Sequence, residues 1–388
     1  MKEKDVLKKN DITMWPDRKI KKFRATLLQW YDENKRDLPW RRTSDPYFIW
    51  VSEIMLQQTQ VDTVIPYYER FTETLPTVKD LAEAREETLL KLWEGLGYYS
   101  RVRNMKVAAN QIMENYGGVF PTAHKDVLTL KGIGPYTAGA VTSIAFDQPQ
   151  PAVDGNVMRV LSRLFEIDLD ISKASTRIVF EEMIRRLIDP DRPGDFNQAL
   201  MDLGATICTP KNYSPEESPV KEFNASYLNE TWEKYPVKKK KNKVTEKTYY
   251  TVMVQNERGE YLYEKRPNKG VLSGMFIPIM IDQEALKEEG WKLFGQETIY
   301  DSRISQELKQ LIHETYDLKV TLKEQPKGVI NHVFSHLKWE MIVFEAELVE
   351  ELTQSSQLKW IPKERFEEEM FPMPTQKVNK LVDTLTLF

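Results

Sequence analysis

The chain has 388 residues, 41% hydrophobic and 29% charged, which at roughly 150 residues per domain makes two or three folded units and excludes wholesale disorder. Its net charge is −4, yet Met1–Thr43 holds 13 Lys/Arg against 7 Asp/Glu while Glu345–Glu369 holds 8 acids against 3 bases, so a basic face for nucleic acid is not excluded. Apolar runs such as Phe48–Val51 fall far short of the ~18 residues of a membrane span, and the single cysteine, Cys208, can form no internal disulfide.

From about Lys19 to Ala225 the pattern is helical. Phe23, Leu27 and Trp30 recur at helical spacing, as do Leu81, Leu89, Leu92 and Leu96. Pro39, Pro46, Pro66, Pro76, Pro121 and Pro151 mark helix entries and turns. In DPYFIWVSEIMLQQTQ (Asp45–Gln60), Asp45 and Pro46 make an N-cap and first-turn pair. Between Phe48 and Leu56 only Ser52 and Glu53 are polar. A helix this apolar takes Glu53 out of bulk water, and desolvation raises a carboxyl pKa until it can donate a proton near neutral pH. The alternative is a Glu that reaches solvent or pairs with an arginine.

TAHKDVLTL (Thr122–Leu130) reads as a helix ending at Lys131, followed by a Gly132-Ile133-Gly134 turn, Pro135 in a first-turn position and the small-residue helix TAGAVTSIA. Such a hairpin can aim bare backbone N–H groups at a phosphate, although a lone G-x-G leaves an ordinary helical hairpin the favoured reading. VDGNVMRVLSRLF then places Asp154 at a helix start. It can serve as the N-cap, where the helix dipole and N–H donors also keep a carboxylate ionised. A neutral Glu53 beside an ionised Asp154 is the working pair of glycosidic bond cleavage.

Near Leu228 the helical pattern stops. Thr231–Lys247 is polar and includes Lys238–Lys241, a solvated linker by composition. Beyond Thr248 the pattern is of strands: TYYTVMVQ, a turn around Asn256–Gly259 and EYLYEKR form a hairpin. A helix near Ser305–Tyr316 and strands near Val329–Phe334 and Leu337–Leu348 follow. The chain thus reads as multi-domain: an all-α unit at 1–230, a basic linker at 231–247 and an α+β unit at 248–388.

LPWR (Leu38–Arg41), SEIMLQQTQV (Ser52–Val61), GLGYYSRVRN (Gly95–Asn104), LKGIGPYTAGA (Leu130–Ala140) and VDGNVMRVLSR (Val153–Arg163) occur in this order. Together they resemble the adenine DNA glycosylases, the MutY family of the helix-hairpin-helix superfamily, over almost the whole chain. The resemblance implies a helix-hairpin-helix glycosylase domain followed by a Nudix (MutT)-like domain. It implies base flipping in duplex DNA that carries adenine opposite 8-oxoguanine or guanine, in base excision repair, by a monomer with no membrane partner. Glu53 matches the acid that protonates adenine N7 and then handles the water, and Asp154 the carboxylate that stabilises the sugar cation. Asn156 is similar to the residue that orients that Asp. Tyr136 stands where bifunctional relatives place a Schiff-base lysine, and tyrosine cannot form an imine. Arg36 and Arg41 resemble arginines near the flipped adenine, and Gln58 and Tyr98 side chains that wedge beside the opposing lesion. Gly132, Gly134 and Lys211 match DNA-backbone contacts. Phe334, Ser335 and His336, within HVFSH, resemble the segment that senses 8-oxoguanine, whose N7–H a hydroxyl and an imidazole can tell from the bare N7 of guanine.

Two departures from the family matter. Gln306–Leu318 (QELKQLIHETYDL) lacks the R-E-x-x-E-E-x-G core of a working Nudix box, so no nucleotide hydrolysis is expected. Most of the family holds an iron–sulfur cluster through C-x6-C-x2-C-x5-C, but here Cys208 is followed at those places by Pro215, Ser218 and Asn224. No cofactor and no metal are expected, because one thiolate cannot hold a four-iron cluster. Packing of Pro210, Tyr213, Pro215, Pro219, Val220 and Phe223 is expected to close the loop instead. A lesion-binding protein without catalysis, and a bifunctional enzyme of the endonuclease III kind, are the alternatives. The MKEKDVLKKND start has no secretory apolar region, and with one cysteine this points to a reducing, cytoplasmic setting, nucleoid-associated in a bacterium.

Overall fold

The computed structural model describes residues 4–239, 244–267, 270–286, 302–334, 337–351 and 355–383. They form two compact units, residues 1–92 with 100–240 and residues 93–99 with 241–388.

The first unit is helical. In chain order its helices are α1 (Lys4–Lys9), α2 (Asp17–Asn34), α3 (Pro46–Met55), α4 (Val61–Thr74), α5 (Val78–Glu83), α6 (Glu86–Leu92), α7 (Ser100–Tyr116), α8 (His124–Val127), α9 (Pro135–Phe146), α10 (Gly155–Phe165), α11 (Ala174–Leu187), α12 (Pro193–Thr206) and α13 (Ala225–Leu228). The apolar spacing of α2 turns Phe23, Leu27 and Tyr31 inward, and they join Leu161, Phe180, Phe196 and Phe223 in one core. Two expectations need correcting. Pro66 lies inside α4 rather than at its entry; burial of Val64, Tyr68 and Phe71 along one side outweighs the one backbone bond that proline removes. The helix expected up to Lys131 is the short α8, ending at Val127, because three-residue turn bonds at Thr129 and Leu130 replace the helical ladder.

Helix α9 is built from small residues for a reason. A methyl at Gly139 would overlap the Pro151 carbonyl, so glycine lets the extended segment ahead of α10 lie directly on α9. Helix α9 also packs against α3 and α12, and α12 against α10. These contacts bring the ends of several helices to one place.

The second unit is a mixed sheet between helices. Its strands are β1 (Thr245–Gln255), β2 (Glu260–Lys265), β3 (Phe276–Ile277), β4 (Ile279–Asp282), β5 (Leu318–Leu322), β6 (Gly328–Val333), β7 (Leu337–Glu351) and β8 (Leu358–Pro362), with helices α14 (Ser302–Tyr316) and α15 (Met373–Asp383). The path β3–β2–β1–β7–β5 carries β4 also on β1, β6 also on β7 and β8 also on β2. Strands β1 and β7 run parallel, from Thr245 opposite Leu337 to Gln255 opposite Glu347; the other pairs are antiparallel. Side chains alternate across the sheet. Val252, Val254 and Phe344 meet Leu308 and Ile312 of α14 on one face, while Met253, Trp339 and Met341 meet Phe371 and Val378 on the other. The hairpin around Asn256–Gly259 closes as expected, Gly259 N–H donating to the Asn256 carbonyl at 2.9 Å. Strand β3 falls within VLSGMFIP (Val271–Pro278), which resembles a MutT-like strand motif, whereas β4, β5 and β8 and helix α15 have no counterpart in the sequence pattern.

Candidate active site

Helix α3 starts where Asp45 accepts a hydrogen bond from Tyr47 N–H at 2.8 Å, with Pro46 in its first turn. Every residue from Ile49 to Met55 is buried, Glu53 included, at 6% exposure. The far end of α3 is fixed by Arg101 of α7, whose guanidinium donates to the carbonyls of Ile54 at 2.8 Å, Met55 at 3.2 Å and Gln57 at 2.6 Å. A cation is well placed at a helix C-terminus. The backbone that carries Glu53 is thus held by the packing of α3 and, at the helix end, by Arg101.

Tyr136 follows Pro135 in the first turn of α9, and its hydroxyl donates to Glu53 Oε2 at 2.6 Å. Burial pushes the Glu53 carboxyl up to about 7; the Tyr136 hydrogen bond pulls it down, the nearby Asp154 carboxyl pushes it up and Arg41 pulls it down. Desolvation wins. The Tyr136 hydroxyl is itself raised well above its ordinary range by burial, then by Glu53 and Asp154, so it stays a neutral donor.

Asp154 caps α10. Its Oδ1 accepts from Val157 N–H at 2.8 Å and its Oδ2 from the Asn156 side-chain amide at 2.8 Å. The expected contrast, an Asp pulled down by its helix start, is corrected here. Burial pushes the Asp154 carboxyl up, against the Val157 N–H, the Asn156 amide and the Arg159 charge. The helix start is sunk in a cleft wall, so loss of water outweighs the donors in setting the direction. Asn156 is held in turn: its Oδ1 accepts from Arg159 Nη2 at 2.8 Å, and Gly204 lies so close that an added Cβ would sit 2.7 Å from Asn156 Cβ.

Arg36, Arg41, Glu53, Tyr136, Asp154 and Asn156, six residues singled out from the sequence, line one cleft of about 180 Å³ together with Trp40, Gln198 and Met201. The other candidates lie elsewhere. Gln58 is exposed, with a φ of +59°, in the turn between α3 and α4. Gly132 has a φ of +80° and an ideal Cβ only 2.8 Å from Asn104 Cβ, so the turn requires glycine twice over. Gly134 caps α9 with nothing within 4 Å of an added Cβ, which leaves that helix start open to a ligand backbone. Lys211 is exposed in the loop after α12. Tyr98, 46% exposed at a φ of +50°, and Phe334 belong to the second unit. The Phe334 ring packs 4.5 Å from His332 and 4.9 Å from Trp339. Ser335 and His336 lie outside the described residues.

Sequence reasoning missed Asp202. This carboxylate is 1% exposed and joins both arginines of the cleft: Arg36 at 2.8 and 2.5 Å, Arg41 at 2.5 and 2.8 Å. Burial would push Asp202 up, but the Arg41 and Arg36 bonds and charges hold it below the usual carboxylate range. One signal was present: Gln198, Met201, Asp202 and Ala205 are spaced i, i+3, i+4, i+7 on α12, which sets an acid among the residues of one helix face.

The positions at which the resemblance implies cluster cysteines do not fit a cluster. Pro215 opens a 3-10 turn, Ser218 is buried beside Val220 N–H, and Asn224 caps α13 while donating to the Tyr213 hydroxyl at 2.9 Å. Cys208 Sγ accepts from Arg163 at 3.2 Å, and the same guanidinium donates to the Thr209 carbonyl at 2.8 Å and lies 4.3 Å from the Tyr213 ring centre. Arg159 donates to the Cys208 carbonyl at 2.7 Å. Pro215, Val220 and Phe223 are buried as expected, whereas Pro210 is exposed. Among the described residues no group of three or more His, Cys, Asp or Glu is placed to hold a metal ion.

Known proteins resemble both units of the chain. The family model described as HhH-GPD superfamily base excision DNA repair protein matches residues 51–186, and a NUDIX domain model matches residues 250–381. The adenine DNA glycosylase of Rattus norvegicus is 34% identical over 415 residues, covering 93% of this chain and 78% of the rat protein. That of Schizosaccharomyces pombe is 32% identical over 413 residues, covering 90% and 87%. A solved thermostable thymine-DNA glycosylase aligns with a TM-score of 0.50 at 30% identity, covering 55% of this chain and 98% of its own. With two relatives matched over most of both chains, this protein belongs to the adenine DNA glycosylase family.

Proposed function

We propose that the protein excises adenine from duplex DNA where it stands opposite 8-oxoguanine or guanine, hydrolysing the N-glycosidic bond without cutting the strand. The observation that carries this reading is the buried Glu53, its carboxyl pushed up to about 7 and held by the Tyr136 hydroxyl. A carboxyl with that pKa is a proton donor at neutral pH. In the proposed reaction the adenine is flipped into the cleft, and Glu53 gives its proton to N7. The C1′–N9 bond then breaks with its electron pair leaving on the base. The sugar cation forms beside Asp154, where Val157 N–H, Asn156 and Arg159 favour the anion against the burial that pushes the carboxyl up. Water adds to C1′ and returns a proton to Glu53. Tyr136 cannot form an imine with C1′, which supports base release alone. The open start of α9 at Gly134 suits a DNA phosphate, and by resemblance Phe334, Ser335 and His336 read the opposing base.

The test is base release from a duplex with adenine opposite 8-oxoguanine. Abasic product is expected, with no nick until alkali or heat is applied and no adduct trapped by borohydride. Glu53→Gln should bind the duplex and lose about a thousandfold or more in single-turnover rate, the scale of a lost general acid. An unchanged rate would remove Glu53 from the mechanism.

A further inference from the structure

The cleft poses an electrostatic problem. A proton donor must stay neutral at Glu53, yet two guanidiniums share its pocket. A nearby positive charge favours the ionised carboxylate, and Arg41 acts on Glu53 in this direction. Both arginines end on the same buried acid, Asp202, with four contacts between 2.5 and 2.8 Å.

We infer that Asp202 is a positioning residue for base excision: it fixes Arg36 and Arg41 in the cleft wall and cancels the Arg41 charge, so that Glu53 keeps its proton. The inference rests on the reaction proposed above and concerns the same site. Glu53 of α3 faces Tyr136 of α9, Asp154 at the start of α10, and Arg41 from the Pro39–Arg41 turn. Asp202 of α12 pairs with Arg36 and Arg41. Tyr31 of α2 lies 5.6 Å from Arg41, with Asp195 and Arg192 behind it, and Arg159 faces Asp154. Replacing Asp202 by a neutral isostere therefore adds one net positive charge to the wall beside Glu53. The arginines stay charged, and the carboxyl of Glu53 gives up its proton at lower pH.

The experiment is a single-turnover pH profile of adenine release by the full-length protein, for wild type, Asp202→Asn and Asp202→Glu, with thermal melts to check folding. In wild type the basic limb reports loss of the Glu53 proton. For Asp202→Asn the limb should move about one unit towards acid, which makes the loss about tenfold on the alkaline side and small on the acid side. Asp202→Glu keeps the charge, so its limb should stay in place even if its rate falls. A folded Asp202→Asn with an unmoved limb overturns the inference, as does an equal move in Asp202→Glu. Should Asp202→Asn not fold, Arg41→Met decides: removing the cation should move the limb towards base, and an unmoved limb overturns the inference. If the wild type releases no adenine, the proposed reaction itself fails, which is a separate result.

Discussion

Glu53 binds its proton more tightly in the folded chain than in the unfolded one, at about 7 against an ordinary 4.5. As pH rises the unfolded chain therefore loses this proton first, and the folded state holds more protons between those values. The stability tied to the neutral carboxyl is complete below about pH 4.5 and is lost as pH climbs through about 7. Glu53→Gln, which cannot ionise, should escape that loss. Urea unfolding of the two proteins should give curves close together near pH 5. By pH 8 the variant should be more stable by up to about 3 kcal/mol. A gap that does not change with pH would mean that the carboxyl is not raised. At this scale Glu53 and Asp154 were legible, one from its apolar neighbours and one from its place before a helix. Asp202 was not, since its partners lie 166 and 161 residues away in sequence. The direction of the Asp154 shift was also hidden, because a cap position tells of donors and says nothing of depth.

The close approach of α9 to the segment ahead of α10 depends on one missing methyl. Gly139→Ala would press on the Pro151 carbonyl and the Ala152 nitrogen, and as overpacking against backbone it should cost about 2–3 kcal/mol. Gly155→Ala, at the start of α10 with nothing within 4 Å of the new Cβ, should change stability by less than about 1 kcal/mol. Thermal melts of both variants test the pair, and equal losses would argue against the packing. Long elements with clean patterns were readable, as with α2, α3 and the β1–β2 hairpin. Helix α8 was read too long because the apolar spacing of Val127 and Leu130 continues through turn residues. Strand β5 alternates buried and exposed residues, but a five-residue run directly after α14 is equally the tail of a helix by pattern. Strand β3 has two residues, and its pairing is decided by β2 rather than by any preference of its own.

Across the whole molecule, charge is unevenly spread, and the lysines between the units test whether that spread matters for DNA. The first unit holds the start of this connection: Ile171 N–H donates to the Val237 carbonyl at 3.1 Å, and Lys239 N–H lies 3.5 Å from Asp170. Lys240 and Lys241 lie outside the described residues. If the run is solvated chain, changing Lys238–Lys241 to serine should leave the slope of log affinity against log salt within about one unit of wild type. A clamp on four phosphates would flatten it by roughly 3.6. Fluorescence titrations at several salt concentrations separate the two. At the base of the first unit, the loop from Cys208 to Asn224 is tied by Arg159, Arg163, Tyr213 and Phe223. Every one of those ties arrives with the polypeptide. Such a loop is ordered by contacts that are all present once translation has delivered its side chains.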